Sequence, residues 1–211
     1  FGSITPTFEI IYTGITAIKE SDAALAQQKH LKIKLVATAE KLNETQLAAF
    51  VLPQFVDEHD DLSNVSNEFN GLVTESSFAD KHFFKGKGAG AYPTAAAVLS
   101  DIAALRYNYK YEYKKYLQQD KLTLTNDYYL KVFVSADDLD KIEKDQFEWI
   151  EEWHNEANNS WIVGIIHATK LQENDWWKQP GVSLILHQNP IVNNVAYKKV
   201  GKRSLQLAGV V

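Results

Sequence analysis

Chemistry is most plausible in this chain at Lys85-Gly86-Lys87-Gly88-Ala89-Gly90-Ala91-Tyr92-Pro93-Thr94. Glycine at 86, 88 and 90 lets the backbone approach a ligand closely and adopt positive φ where needed. Phe83-Phe84 before it reads as the end of a strand, and the glycine-free residues 94–105 after it read as a helix. Such a strand, turn and helix start form a site for an anionic ligand. The first N–H groups of the helix and the positive end of its dipole face the charge. Pro93 suits the first helical turn, where a missing N–H costs nothing. A plain connector without a ligand has the same spacing, and spacing alone favours it. No Lys-Ser or Lys-Thr follows Gly90, as a P-loop requires, and the Rossmann pattern with its acidic partner about twenty residues on is also missing.

Other constellations are weaker. The six histidines show neither H-x-x-x-H nor H-E-x-x-H spacing, so the sequence points to no metal site. Asp57-Glu58-His59-Asp60-Asp61 lacks the glycine and carboxylate spacing of a calcium loop and reads as a solvated acidic loop. No Gly-x-Ser-x-Gly elbow is present. Trp176-Trp177 lies in a polar stretch and reads as packing over a sheet edge, with a lid or interface patch as the alternative.

The elements that would position the glycine stretch can be read in order. Residues 8–18 suggest a strand with a glycine break, and Ser21-Asp22 a cap before a short helix over 23–29. Strands are expected at 32–39, at 46–51 with Pro53 ending the run or marking an edge, at 69–74 and at 81–84. The helix over 94–105 carries Val98, Leu99, Ile102 and Leu105 on one face. Tyr107, Tyr109, Tyr111 and Tyr113 at period two suggest an extended, packed linker. A second unit then reads as a strand at 128–134, a helix over 137–155 and strands at 161–168 and 182–187. The tail 191–211 is expected to add a strand or two. Glu148, Glu151 and Glu152 would lie on the polar side of the 137–155 helix.

The expected class is therefore α+β: a partial sheet with covering helices, then a small ferredoxin-like sandwich. The division is 1–85, a glycine turn, helix and linker over 86–116, and 117–211.

With 211 residues, 45% of them hydrophobic, the chain has room for one or two cores. A net charge of −5 argues against nucleic acid or an anionic membrane as the main partner. The absence of cysteine rules out thiol chemistry and fits a cytoplasmic protein. The chain opens on Phe1 and contains no methionine, which suggests a fragment of a longer protein.

The longer string from Phe84 to Ile102 resembles the G-x-G-A-G-x-x-P-T-A-x-A-V-x-x-D-[ILV] segment of homoserine dehydrogenases. The flanks agree: Gly14-Ile15 with Ile18, Ile33-Lys34-Leu35, and Leu62, Val65 and Asn70 look like that family's landmarks in order. The second unit, opening Tyr128-Tyr129-Leu130, resembles an ACT-type regulatory domain. It departs from that pattern at Ser135-Ala136-Asp137-Asp138, where a small-residue turn is usual.

The resemblance implies NAD- or NADP-dependent interconversion of L-homoserine and L-aspartate 4-semialdehyde, on the route to threonine, methionine and isoleucine. It implies catalytic residues and a nucleotide domain upstream of Phe1, so that this chain alone is inactive. Gly88, Ala89, Gly90 and Thr94 would lie beside the cofactor. It also implies a homodimer or larger homo-oligomer, with an amino-acid effector possible at the second unit. The alternative is a non-catalytic module that binds an amino acid or dimerises.

Overall fold

The computed structural model describes residues 10–109 and 122–192. The expectations for the tail 193–211 and for most of the tyrosine-rich linker fall outside these residues. The class is α+β, as read.

Strand β1 (Ile11–Tyr12) is followed by helix α1 (Glu20–Gln28). The Asp22 side chain accepts the backbone N–H of Lys19 at 3.0 Å, which satisfies a donor at the helix start. His30, with φ 56°, turns the chain out of the helix into β2 (Leu31–Lys41). β2 pairs antiparallel with β3 (Gln46–Asp57) along its whole length. Pro53 does not end β3. β1 pairs with β3 at Phe50 and Val51, and the last strand, β10 (Val182–Val192), pairs with it at Gln54. Pro53 falls between these two partners, where a ladder donor can be spared.

A 3-10 turn at Asp61–Asn64 leads to a separate hairpin of β4 (Phe69–Ser76) and β5 (Asp80–Lys87), and then to helix α2 (Ala91–Arg106). After the linker the chain returns to β3 through β6 (Thr123–Leu124). The remaining elements are β7 (Tyr129–Ala136), β8 (Phe147–Glu156), β9 (Asn159–His167) and α3 (Ala168–Glu173), followed by β10. The main sheet runs β1-β3-β10-β7-β9-β8, with β2 and β6 also on β3. The order β10-β7-β9-β8, antiparallel throughout, is that of a split βαβ sheet.

The expected helix over 137–155 is not formed. Two 3-10 turns (Leu139–Lys141 and Lys144–Gln146) precede strand β8. The misleading signal has a physical origin. Register shifts between Phe147 and Trp149 and between Ile150 and Glu152 each insert a residue into β8. Phe147, Ile150 and Trp153, three apart, therefore face Ile166, Gly164 and Ile162, two apart on β9. A strand with two bulges thus shows a helix-like period. Glu148 and Glu151 lie on this strand and pair with Lys170 (2.9 Å) and Lys131 (2.6 Å).

Both faces of the sheet are covered. One carries Ala48, Phe50, Leu52, Leu130, Val132, Val134, Ile162 and Ile166, under α3 and the tryptophan pair. Trp176 and Trp177 are core residues rather than a lid, and the Trp177 indole N–H donates to the Leu171 carbonyl at 2.9 Å. On the opposite face, α1 packs Ala26 against Phe55, Phe133, Val163 and Ile185. Strands buried on both sides read as continuous apolar runs, as 132–134 and 184–186 do. The core joins Phe50 and Leu52 to Leu184 and Leu186, so one sheet and one core take in strands from before and after the linker.

Candidate functional site

The glycine stretch divides in a way its sequence does not show. Lys85, Gly86 and Lys87 complete β5, so the turn itself is Gly88-Ala89-Gly90. Its entry is fixed by the Gly88 N–H donating to the Glu68 carbonyl at 2.8 Å. Lys87 pairs with the Glu68 carboxylate at 2.9 Å, and that bond holds the carboxyl below its usual range. The Lys85 and Lys87 amines lie 5.0 and 5.4 Å from the centre of the Phe69 ring. Lys85 also donates to the Asn64 carbonyl at 2.7 Å. Both lysines are thus engaged in bracing the hairpin.

Gly90 is the N-cap of α2, with φ 118° and ψ 155°. That region of backbone space is essentially restricted to glycine. The Thr94 N–H and hydroxyl both donate to the Gly90 carbonyl, at 3.2 and 2.9 Å. Thr94 therefore closes the first turn of the helix. Among the described residues, no backbone carbonyl accepts from the N–H groups of Ala89, Gly90, Ala91 or Tyr92. The first turn carries no acidic side chain. Four free donors, a helix dipole and no competing carboxylate suit an anionic group such as a phosphate.

Three of the sequence landmarks, Leu62, Val65 and Asn70, meet at this hairpin. Leu62 and Val65 pack on Gly71, where a Cβ would stand 2.6 Å from Cγ2 of Val65. Asn70 lies across the hairpin beside Gly88, where a Cβ would overlap its amide nitrogen and lie 2.7 Å from its Cγ. Gly88 thus has a structural need of its own. Replacing it with valine tests the Asn70 contact as well as any ligand.

Lys32 and Lys34, which the sequence reading did not weigh for chemistry, sit with Lys85 behind the hairpin. Lys32, Lys34 and Lys85 donate to the carbonyls of Ser63, Val65 and Asn64 in turn. Burial pushes the Lys34 amine below its ordinary range, and Lys32 and Lys85 add to the effect. The Lys-x-Lys spacing at 32–34 and 85–87 was the available signal, but only folding brings these residues together.

Helix α2 buries nothing. Val98, Leu99, Ile102 and Leu105, the face read as apolar, are each more than half exposed. Leu72 and Phe84, paired across the hairpin, are exposed as well.

Residues 1–103, from the start of the chain through the glycine turn and most of α2, match the family model described as homoserine dehydrogenase. Over this half, the chain belongs to the homoserine dehydrogenase family. It is 34% identical to the homoserine dehydrogenase of Corynebacterium glutamicum over 104 residues, 47% of this chain and 23% of that protein. Against the Bacillus subtilis homoserine dehydrogenase it is 32% identical over 95 residues, 45% of this chain and 22% of that protein. Among solved structures, a homoserine dehydrogenase from Thiobacillus denitrificans superposes with a TM-score of 0.60 at 19% identity, covering 88% of this chain and 49% of that one. A Staphylococcus aureus homoserine dehydrogenase gives 0.55 at 18% identity, covering 88% and 48%. The likeness in fold therefore reaches well beyond residue 103 into β7–β10. The chain spans less than a quarter of the length of these curated relatives and about half of these solved chains.

Proposed function

We propose that this chain is part of a homoserine dehydrogenase acting reversibly on L-homoserine and L-aspartate 4-semialdehyde with NAD or NADP. Its own contribution is the turn formed by Gly88, Ala89 and Gly90 at the start of α2, braced by Thr94. The observation that carries the reading is this turn, where the N–H groups of Ala89, Gly90, Ala91 and Tyr92 are unbonded among the described residues, lying inside the segment that matches the family. When bound, the nicotinamide cofactor supplies the hydride chemistry. The turn holds an anionic part of the cofactor by close backbone approach and by the helix dipole, and it moves no proton. Catalytic groups are assigned to the part of the protein outside this chain. The exposed apolar face of α2 supports this, because in the longer protein it would be covered by a neighbouring domain.

The sheet order β10-β7-β9-β8 favours a second reading for the C-terminal half, an ACT-like unit that binds an amino acid or serves assembly.

The test uses the full-length protein and homoserine-dependent reduction of NAD(P). Ala89→Asp places a carboxylate beside the N–H groups and should raise KM for the cofactor by about tenfold or more. Unchanged cofactor KM in this variant would remove the turn from the cofactor site.

A further inference from the structure

Gly88 and Asn70 fit together as a slot and its filler. Asn70 is in β4, opposite Gly86 in the pairing, and its side chain extends along the hairpin to Gly88. It takes up the volume that any side chain at 88 would need, with Oδ1 3.1 Å from the Cβ position. Gly86, two residues earlier, has nothing within 4 Å of the same position, so the contact is specific to residue 88. No hydrogen bond ties the Asn70 carboxamide to another described residue, and Asn70 is exposed. Neither the stability of the core nor a local hydrogen bond explains this asparagine. What it does is close one side of the turn, against the residue whose own N–H is pinned to the Glu68 carbonyl.

We infer that Asn70 is a positioning residue for the cofactor turn: its carboxamide, packed against Gly88, sets the path of Gly88-Ala89-Gly90 and so the placement of the N–H groups beyond it. The inference rests on the cofactor reading of the turn. Asn70 touches no reacting atom in this account. It acts through the backbone of residue 88, and its effect belongs in cofactor affinity, leaving the chemical step unchanged. A residue needed only for folding would lower stability and leave KM alone.

The experiment is a double-variant cycle in the full-length protein, using Asn70→Ala, Gly88→Ala and the pair together, read as KM and kcat for NAD(P) and as melting temperature. Asn70→Ala should raise cofactor KM about threefold to tenfold with kcat unchanged. Gly88→Ala should also raise KM, and by less when Asn70 is already alanine, because the slot is then open. The isosteric Asn70→Leu should recover much of the loss, since it refills the volume. If Asn70→Ala leaves KM unchanged, or the Gly88→Ala effect is equal in both backgrounds, the inference is overturned. Absence of homoserine-dependent NAD(P) reduction in the unsubstituted protein would overturn the underlying cofactor reading, and is seen before any variant is made.

Discussion

The Trp149 carbonyl oxygen stands so close to Gly164 that a Cβ there would lie 2.5 Å from it, and 2.6 Å from Cδ1 of Phe147. This closeness lets the bulged strand β8 lie flat on β9. Gly164→Ala should destabilise the chain by about 1–3 kcal/mol, because backbone and a buried ring must both move. Gly86→Ala, at a position with nothing within 4 Å, is the control and should be neutral or slightly stabilising. Denaturant unfolding of the two variants checks this. Equal midpoints would show that β8 can lift from β9 at no cost.

Trp176 and Trp153 make a second comparison. Trp176 is 2% exposed and lies 6.2 Å from Phe147 between ring centres, whereas Trp153 is 39% exposed. Trp176→Ala should cost about 3–5 kcal/mol, and Trp153→Ala much less. Trp176→Phe should recover a good part of the loss, because the buried indole nitrogen has no hydrogen bond to forfeit. Equilibrium unfolding followed by circular dichroism reads all three.

A pH dependence follows from Glu40. Desolvation raises its pKa above the ordinary value, and the charge of Glu75 adds to that. Ionising Glu40 is therefore harder in the folded chain than in the unfolded one. Stability from this group is fully present below its unfolded pKa and declines as pH rises through the folded value. Glu40→Gln should match the parent in melting temperature near pH 4 and exceed it at pH 7. A constant difference across that range would show that folding does not raise the Glu40 pKa.

The apolar face of α2 gives a prediction with two arms. Leu99→Glu and Ile102→Glu remove exposed side chains, so the chain by itself should melt within about 0.5 kcal/mol of the parent. In the full-length protein the same pair should lower stability markedly, because the face is then buried and charges are costly there. Equal, small effects in both settings would mean that α2 remains in solvent.

How much of this was legible in the sequence differs from element to element. The hairpin β2–β3, helix α2 and the glycine turn could all be read, because each depends on local pattern and turn chemistry. β8 could not, since two bulges stretched its inward spacing from two residues to three, and Phe147, Ile150 and Trp153 then mimicked a helix face. The tryptophan pair sits among Gln172, Glu173, Asn174, Asp175 and Lys178, so polar neighbours concealed a core position. At the site, Gly88 and Gly90 look alike in sequence but answer to different constraints. Gly90 meets a backbone demand visible in local pattern. Gly88 meets a side chain from another strand, which no spacing rule could reveal. The junction of β10 with β3 rests on one parallel pairing, Leu186 with Gln54, and leaves no periodic trace.

The way β3 is partnered has a consequence for how the chain acquires its shape. One flank is filled by the local hairpin partner β2. Its remaining neighbours, all parallel to it, come from the first dozen described positions, from beyond the linker, and from the last described strand. Closing those contacts requires long stretches of chain to be gathered first, an entropic delay characteristic of non-local topologies. The β2–β3 hairpin is therefore expected to form early and wait for β1, β6 and β10 to dock. The glycine turn and α2 lie on the excursion between β5 and β6, so they take their final arrangement only when that late docking is complete.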